Sequence, residues 1–234
     1  MRAFRAVVVF ACLAACLAVP PRAHAQGAGS FYPDSLAELR AAAEQGDADS
    51  QVLMGRLYFE GEGVPQDDAE ALRWWRLAAA QNNRDAQFRI SYMYEYGRGV
   101  PLDLDEAIHW YRLGAAQGDE LAQFNLGRMY YTGQGVPQDF AEAARWWRMA
   151  ARLHNLVAQF NLGVMYETGR GVTQDDVRAY MWFSLSTAAS SDEDWVRRLA
   201  YRDAVGARLT ADQRARAETL ASACRASAFL DCGD

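Results

Sequence analysis

Apolar residues between positions 84 and 116 recur with the spacing of an amphipathic helix. A first stripe stands at i, i+4, i+7 and i+8, on one helix face, and comprises Ala86, Ile90, Met93 and Tyr94. A second stripe with helical spacing comprises Ala107, Trp110, Tyr111 and Gly114. The pattern predicts two helices that pack against each other through their apolar sides, separated by a polar loop.

The loop between the two stripes carries the residues that end one helix and begin another. Gly97 can adopt the left-handed conformation just past a last helical turn, and Pro101 cannot extend that helix. Asp103 is predicted to cap the second helix, with Glu106 as the reciprocal partner of a capping box. The same pairing is predicted elsewhere for Asp67 with Glu70 and Asp139 with Glu142. In a fourth place, Asp175 is followed by Arg178, and a frayed start is expected.

This loop occurs four times at intervals of 36 residues. The copies read GEGVPQD, GRGVPLD, GQGVPQD and GRGVTQD, beginning at positions 61, 97, 133 and 169. Glutamine, tyrosine, tryptophan and alanine keep the same interval in the flanking segments. A fixed period of this length is typical of stacked helical repeats. A phosphate-binding loop is needed only once, so the four GxG motifs are interpreted as structural turns.

The repeated residues resemble those of a known family. The repeats combine paired helices, a G-x-G-V-x-x-D loop, a small residue at position 55 and its equivalents, and a Trp-Trp or Trp-Tyr pair followed by two alanines. These features are similar to those of the Sel-one-like repeat (SLR). This family is related to the tetratricopeptide repeat. The resemblance covers about residues 35–190. It implies an all-α fold, a right-handed α–α solenoid of four 36-residue helix-hairpin repeats with helical caps.

The resemblance also divides the chain. Residues 35–47 match the end of a second helix and are expected to form an N-terminal half-repeat cap, followed by four repeats over 48–190. Residues 191–234 lose the rhythm and are expected to form a C-terminal helical cap. Cys224 and Cys232 in this cap are expected to form a disulfide in an oxidising compartment; two unrelated thiols are the alternative.

The N-terminus has the features of an export signal. A basic start precedes 14 apolar residues, too few for a comfortable membrane span, and Ala23-His24-Ala25 offers a cleavage site. We expect a signal peptide over 1–25, a linker over 26–34 and a periplasmic mature chain without a transmembrane segment. The alternative is a lipoprotein anchored through Cys16, because LAAC resembles a lipobox. Cleavage after Ala25 would leave a net charge of −9, which does not favour nucleic acid or anionic lipid.

Candidate catalytic chemistry is sparse. All 24 basic residues are arginine, which excludes mechanisms that need a lysine. His109 aligns with the solvent-facing types Arg73 and Arg145, and His154 falls in a turn. We therefore expect no catalytic residue, metal or cofactor. Some SLR proteins carry a cysteine pair in each repeat, with suggested activity on β-lactams, and this chain has no such pairs. A cell-wall-associated enzyme or binder, β-lactamase-like or peptidoglycan-binding, remains the alternative function.

Positions that differ between repeats indicate a binding surface. In related solenoids the first helices line the concave face, so variation there can carry specificity. Aromatic and arginine side chains contribute most to interfaces. The predicted partner-binding residues are Arg56, Phe59, Tyr92, Tyr96, Arg128 and Tyr131. The expected partner is a peptide or a protein of the cell envelope.

Overall fold

The fold is a row of helical hairpins. The computed structural model describes residues 36–187 and 193–227, with Phe229 and Cys232, and within these ranges it contains eleven helices and no strand. The predicted signal, the linker, Cys16 and Ser35 lie outside the described residues. The helices are α1 (Leu36–Glu44), α2 (Ala48–Glu60), α3 (Asp68–Ala80), α4 (Arg84–Tyr96), α5 (Leu104–Ala116), α6 (Glu120–Thr132), α7 (Phe140–Arg152), α8 (Leu156–Thr168), α9 (Asp176–Ser186), α10 (Glu193–Gly206) and α11 (Ala211–Ala226).

The helices repeat in register. The first helices of the four repeats are α2, α4, α6 and α8, each 13 residues long, and the second helices are α3, α5, α7 and α9. From α1 to α9 each helix packs against the next, as in an α-solenoid, and α10 and α11 both pack against α9. The all-helical repeat fold predicted from the sequence is confirmed. No helix among the described residues is long and apolar enough to span a bilayer.

Local residues set the helix ends largely as predicted. The glycines that end the first helices have φ between 64° and 74°, and each donates its N–H to a carbonyl in the last turn. The aspartates before the second helices accept a hydrogen bond from the backbone N–H three residues on. The fourth of them, Asp175, also accepts from Val177. The expected fraying of that helix start is therefore wrong.

The predicted reciprocal half of the capping box is also wrong. The N–H of each capping aspartate already donates to a tyrosine carbonyl of the preceding first helix, as Asp67 does to Tyr58 at 2.9 Å. The glutamates are consequently free for other partners, and Glu70 binds Arg73 at 2.6 Å. The backbone N–H of the capping aspartate is therefore satisfied by a carbonyl of the preceding helix, and not by the glutamate side chain that a capping box would provide.

Within each hairpin, an aromatic ring of the second helix lies against a small residue of the first. A Cβ added at Gly163 would stand 2.6 Å from the ring of Phe183, and the rings of Trp75 and Trp147 approach Gly55 and Gly127 more closely still. The indole N–H of Trp75 then donates to the Val52 carbonyl at 3.1 Å. These rings are nearly inaccessible to solvent. The small residue therefore determines how closely the two helices of a hairpin can pack.

Successive repeats are joined by a second recurring contact. An arginine of each second helix donates from Nη2 to a tyrosine hydroxyl on the next first helix, at 2.8–3.1 Å. The four pairs are Arg40–Tyr58, Arg76–Tyr94, Arg112–Tyr130 and Arg148–Tyr166. The first arginine belongs to α1, which thus has the register and the contact of a second helix.

The C-terminal helices cover the last repeat. Tyr201 of α10 packs on Phe160 and Phe183, with ring centroids 5.1 and 5.7 Å apart. Arg208 binds Asp176 through Nε and Nη2 at 3.0 and 3.1 Å. In α11, Cys224 is paired with Cys232, and the sulfur atoms are 2.05 Å apart. The cap thus supplies apolar and charged contacts to a repeat that has no following repeat.

In repeats 2 to 4 the second glycine of the turn allows that turn to lie on the preceding repeat. A Cβ added at Gly99 would stand 2.7 Å from the Asp68 backbone, whereas one at Gly63 would meet nothing within 4 Å. Both glycines have a left-handed φ, 67° and 72°.

Gly99→Ala should therefore destabilise the protein more than Gly63→Ala. Both alanines would be strained by about 1–2 kcal/mol because of φ, and the clash at position 99 should add about 1–3 kcal/mol. Urea unfolding followed by circular dichroism measures the difference. Equal losses of free energy of unfolding in the two variants would show that the turn does not depend on the close approach.

Candidate functional site

Three of the six predicted binding residues form one aromatic cluster across repeats 1 and 2. The ring of Phe59 lies 6.1 Å from that of Tyr92, and Tyr92 lies 4.5 Å from Tyr96, one turn further along α4. Phe59 is only 7% exposed, whereas the two tyrosines are partly exposed. Phe59 thus supports Tyr92 from beneath, which leaves the tyrosines as the surface of the cluster.

The electrostatic surroundings keep both tyrosine hydroxyls protonated. Burial raises the pKa of Tyr92, and burial together with the nearby Glu95 carboxylate raises the pKa of Tyr96 to about 12. The guanidinium of Arg98 lies 4.7 Å over the Phe59 ring and binds Asp68 at 2.6 and 3.0 Å. The cluster therefore presents aromatic faces beside neutral hydroxyl groups and a neutralised arginine.

Arg128 lies in a buried polar network between repeats 2 and 3. Its Nη2 donates to Glu95, whose other oxygen accepts from the Tyr111 hydroxyl at 2.7 Å. The side chains of Arg128 and Glu95 are 16% and 1% exposed. Burial is the largest influence and would lower the pKa of Arg128, but the Glu95 carboxylate together with Tyr111 and Tyr96 outweighs it, and the pKa is raised. The guanidinium compensates a buried charge and has little surface left for a partner.

The other two predicted residues lie apart from this network. Arg56, on α2, is 3.8 Å from Glu60 and its side chain is 38% exposed. Tyr131 packs on Phe140 and Trp147 at 5.1 and 5.2 Å, and its hydroxyl accepts from Arg170 at 2.9 Å. Arg56 is thus the most accessible charged member of the set, and Tyr131 is held by repeat 3 and the turn after α8.

Sequence reasoning missed two contributors to the site. One is Glu95, the buried partner of Arg128. Leu102 is 63% exposed in the turn after α4, where the other repeats carry Gln66, Gln138 and Gln174. A Cβ added at Gly97, the residue that follows Tyr96, would stand 3.4 Å from the Leu102 Cβ. The departure from the repeat pattern at position 102 was the available signal.

The titratable groups do not gather in a metal-binding arrangement. In the part of the chain that the structure describes, no three histidine, cysteine or acidic residues converge where they could hold an ion. His109 and His154 are exposed, and His154 contacts the Phe229 ring at 4.4 Å. The geometry that stands out is an aromatic surface rather than a set of reactive groups.

The repeat geometry agrees with a direct comparison to known families. The Sel1 repeat profile matches residues 48–83, 84–119, 121–155 and 156–191, more than half of the chain. The chain belongs to the Sel1 repeat family. Sel1 repeats typically mediate protein–protein interaction, and proteins built from them are generally non-enzymatic scaffolds.

Solved structures of other Sel1 repeat proteins are similar. One is a protective antigen present in uropathogenic Escherichia coli strains, with an SLR fold. It is 34% identical, with a TM-score of 0.69, and the match covers 82% of this chain but only 41% of the antigen. Another is a Sel1 repeat protein from Oxalobacter formigenes, 30% identical with a TM-score of 0.62, covering 72% and 74% of the two chains. A comparison with curated proteins gives no significant match.

Replacement of Arg128 should destabilise this Sel1 repeat protein far more than replacement of Arg56. Arg128→Met leaves the Glu95 carboxylate buried without its counter-charge, which costs about 3–5 kcal/mol. Arg56→Met removes only an exposed, loose ion pair, worth less than about 1 kcal/mol. The measurement is the free energy of unfolding in urea. A loss for Arg128→Met no larger than that for Arg56→Met would contradict the structural role of the buried network.

Proposed function

We propose that this Sel1 repeat protein is an exported scaffold that holds a peptide or an envelope protein along its first helices. The observation that carries the proposal is the exposed surface of Tyr92, Tyr96 and Leu102, which we call the repeat-2 patch. Tyrosine is among the residues that contribute most to protein interfaces, because a rigid ring buries a large area and the hydroxyl can still donate.

The repeat-2 patch is confined to one repeat. The positions of Tyr92 and Tyr96 are occupied by Arg56 and Glu60 in repeat 1. They are occupied by arginine and threonine in repeat 3, and by valine and threonine in repeat 4. The helical scaffold is repeated, whereas the two tyrosines occur at these positions only in repeat 2. The patch therefore gives the first-helix face a distinct centre for recognition.

The chemistry of the patch fits an extended peptide with apolar side chains. The tyrosine rings and Leu102 offer apolar contact, and the protonated Tyr92 hydroxyl can donate to a backbone carbonyl of a partner. The neighbouring arginines, Arg98 and Arg128, are each neutralised by a carboxylate of this chain. Binding at the patch should therefore depend little on salt.

Export is supported by the N-terminal sequence. The basic start, the apolar run and Ala23-His24-Ala25 have the order of a secretory signal, with removal after Ala25. Lipid attachment at Cys16 is the alternative route to the same compartment. The mature N-termini of the two routes differ in mass, so mass spectrometry of the protein from an envelope fraction separates them.

Replacing both tyrosines of the patch by alanine should reduce partner capture without unfolding the protein. We expect Tyr92→Ala/Tyr96→Ala to lower the yield of specific envelope proteins at least about tenfold, since two interface tyrosines are each worth roughly 1–2 kcal/mol. The measurement is quantitative mass spectrometry of proteins retained from an envelope extract, with circular dichroism to verify helix content.

The matched control changes the same two positions in repeat 4, Val164→Ala/Thr168→Ala. This control should retain the same proteins as the unmodified chain. If the two double variants retain equal amounts, the repeat-2 patch is not the binding surface. If the unmodified chain retains nothing specific, the scaffold function itself is contradicted.

A further inference from the structure

A second exposed surface runs along the second helices, on the side opposite their buried residues. On α3, α5 and α7 the residues at i, i+3, i+4 and i+7 are exposed or partly exposed, while the opposite side is buried. We call these twelve positions the second-helix stripe. They are Arg73, Arg76, Leu77, Ala80, His109, Arg112, Leu113, Ala116, Arg145, Arg148, Met149 and Arg152.

The stripe carries positive charge on an acidic protein. It contains six arginines and one histidine and no acidic residue, although the chain as a whole has a net charge of −6. Arg73 and Arg145 form ion pairs with Glu70 and Glu142, each at 2.6 Å, at the edge of the stripe. Arg76 and Arg112 donate instead to tyrosine hydroxyls, which carry no charge. Their positive charge therefore remains available to a partner.

Large apolar side chains lie next to these arginines at the same position of each repeat. Leu77 and Leu113 are 42% and 39% exposed, and partly exposed Met149 occupies the equivalent position on α7. An arginine followed by leucine or methionine thus recurs at intervals of 36 residues. A single exposed leucine needs no explanation, but three apolar residues in register with arginines form a continuous mixed surface.

We propose that the second-helix stripe binds an acidic amphipathic segment of a partner protein. Carboxylates of such a segment would accept hydrogen bonds from the guanidinium groups of Arg76 and Arg112, and its leucines would cover Leu77, Leu113 and Met149. The periodic order of charge and apolar area suits a segment that crosses three successive repeats. This surface is distinct from the repeat-2 patch, so it adds a second binding face to the scaffold.

Charge favours a protein segment over a membrane. The N-terminal turns of the same helices carry Asp68, Asp105 and Glu106, and an anionic bilayer broad enough to cover the stripe would also meet these carboxylates. A narrow peptide helix over Arg76 and Arg112 would lie about 9–12 Å along the helix axis from these carboxylates. The occupant is therefore expected to be acidic, apolar on one side and no wider than a helix.

Fluorescence anisotropy with a synthetic peptide tests the proposal. The probe is a labelled amphipathic helix of about 20 residues built from Glu, Leu and Ala, and a counterpart with Lys in place of Glu tests the sign of charge. The acidic peptide should bind the full chain, and raising the salt from about 50 to 500 mM should weaken binding at least about fivefold. The Lys counterpart should not bind.

Variants locate the binding to the stripe. Leu77→Gln/Leu113→Gln/Met149→Gln should weaken binding at least about tenfold, whereas Val196→Gln, at an exposed apolar residue of α10 outside both proposed surfaces, should change it less than about twofold. If the triple variant loses helix content, the single variant Leu113→Gln replaces it and should weaken binding about threefold. Arg76→Gln/Arg112→Gln keeps a donor for the tyrosine hydroxyls and should reduce the salt dependence.

Several outcomes would overturn the proposal. One is no binding of the acidic peptide at concentrations up to about 1 mM. Another is equal binding of the Lys counterpart, or an equal effect of Val196→Gln and the stripe variants. A third is that phosphatidylglycerol vesicles bind through the stripe and displace the peptide, which would identify a lipid surface instead. None of these outcomes bears on the repeat-2 patch, which is tested by its own variants.

Discussion

The close approach of a second-helix ring to a first-helix glycine or serine determines how each hairpin packs. Phe183 against Gly163 shows the constraint most simply, because any larger residue in place of the glycine would push the ring and its helix away. Once the two helices are held at this distance, their outer apolar sides remain uncovered. Only the next hairpin can cover them, and the arginine-to-tyrosine hydrogen bonds fix its register. The solenoid follows from a contact made inside one repeat and a contact made between two.

The features that could be predicted from the sequence are those decided by neighbouring residues. Gly97 and Asp103 end and begin helices through backbone conformation and a cap, so the interval of 36 residues revealed both the turns and the helices. The pairing of Glu95 with Arg128 could not be predicted in this way. The two residues are 33 positions apart, and the pair is not repeated: the arginine recurs only as Arg56 and the glutamate only as Glu167, so no other two successive repeats carry both. Likewise, the tyrosine carbonyl that binds the Asp67 N–H belongs to the preceding helix, and it displaced the predicted reciprocal cap.

We propose that partners bind where the repeats differ, at the repeat-2 patch, and where an exposed surface recurs, at the second-helix stripe. The first-helix face has one distinct centre, in repeat 2, where two tyrosines stand in place of arginine, valine, glutamate or threonine, and Leu102 follows in place of glutamine. The second-helix stripe is instead periodic and combines charge with exposed apolar area. A Sel1 repeat protein with both surfaces is suited to holding two different segments at once, and two linked contacts strengthen each other through effective concentration. That arrangement is typical of an assembly scaffold and requires no reactive side chain.

The central claim is that each repeat is stabilised by its immediate neighbours through recurring contacts. Deleting residues 84–119 as one block tests it most directly, since Arg76 would then face Tyr130 in place of Tyr94 and the register would be kept. Circular dichroism of the shortened protein should show unchanged helix content per residue and a cooperative thermal transition at a lower temperature, because Arg128 loses Glu95. Loss of helical structure throughout the shortened chain would contradict the claim and would indicate a fold that depends on the whole sequence rather than on neighbouring repeats.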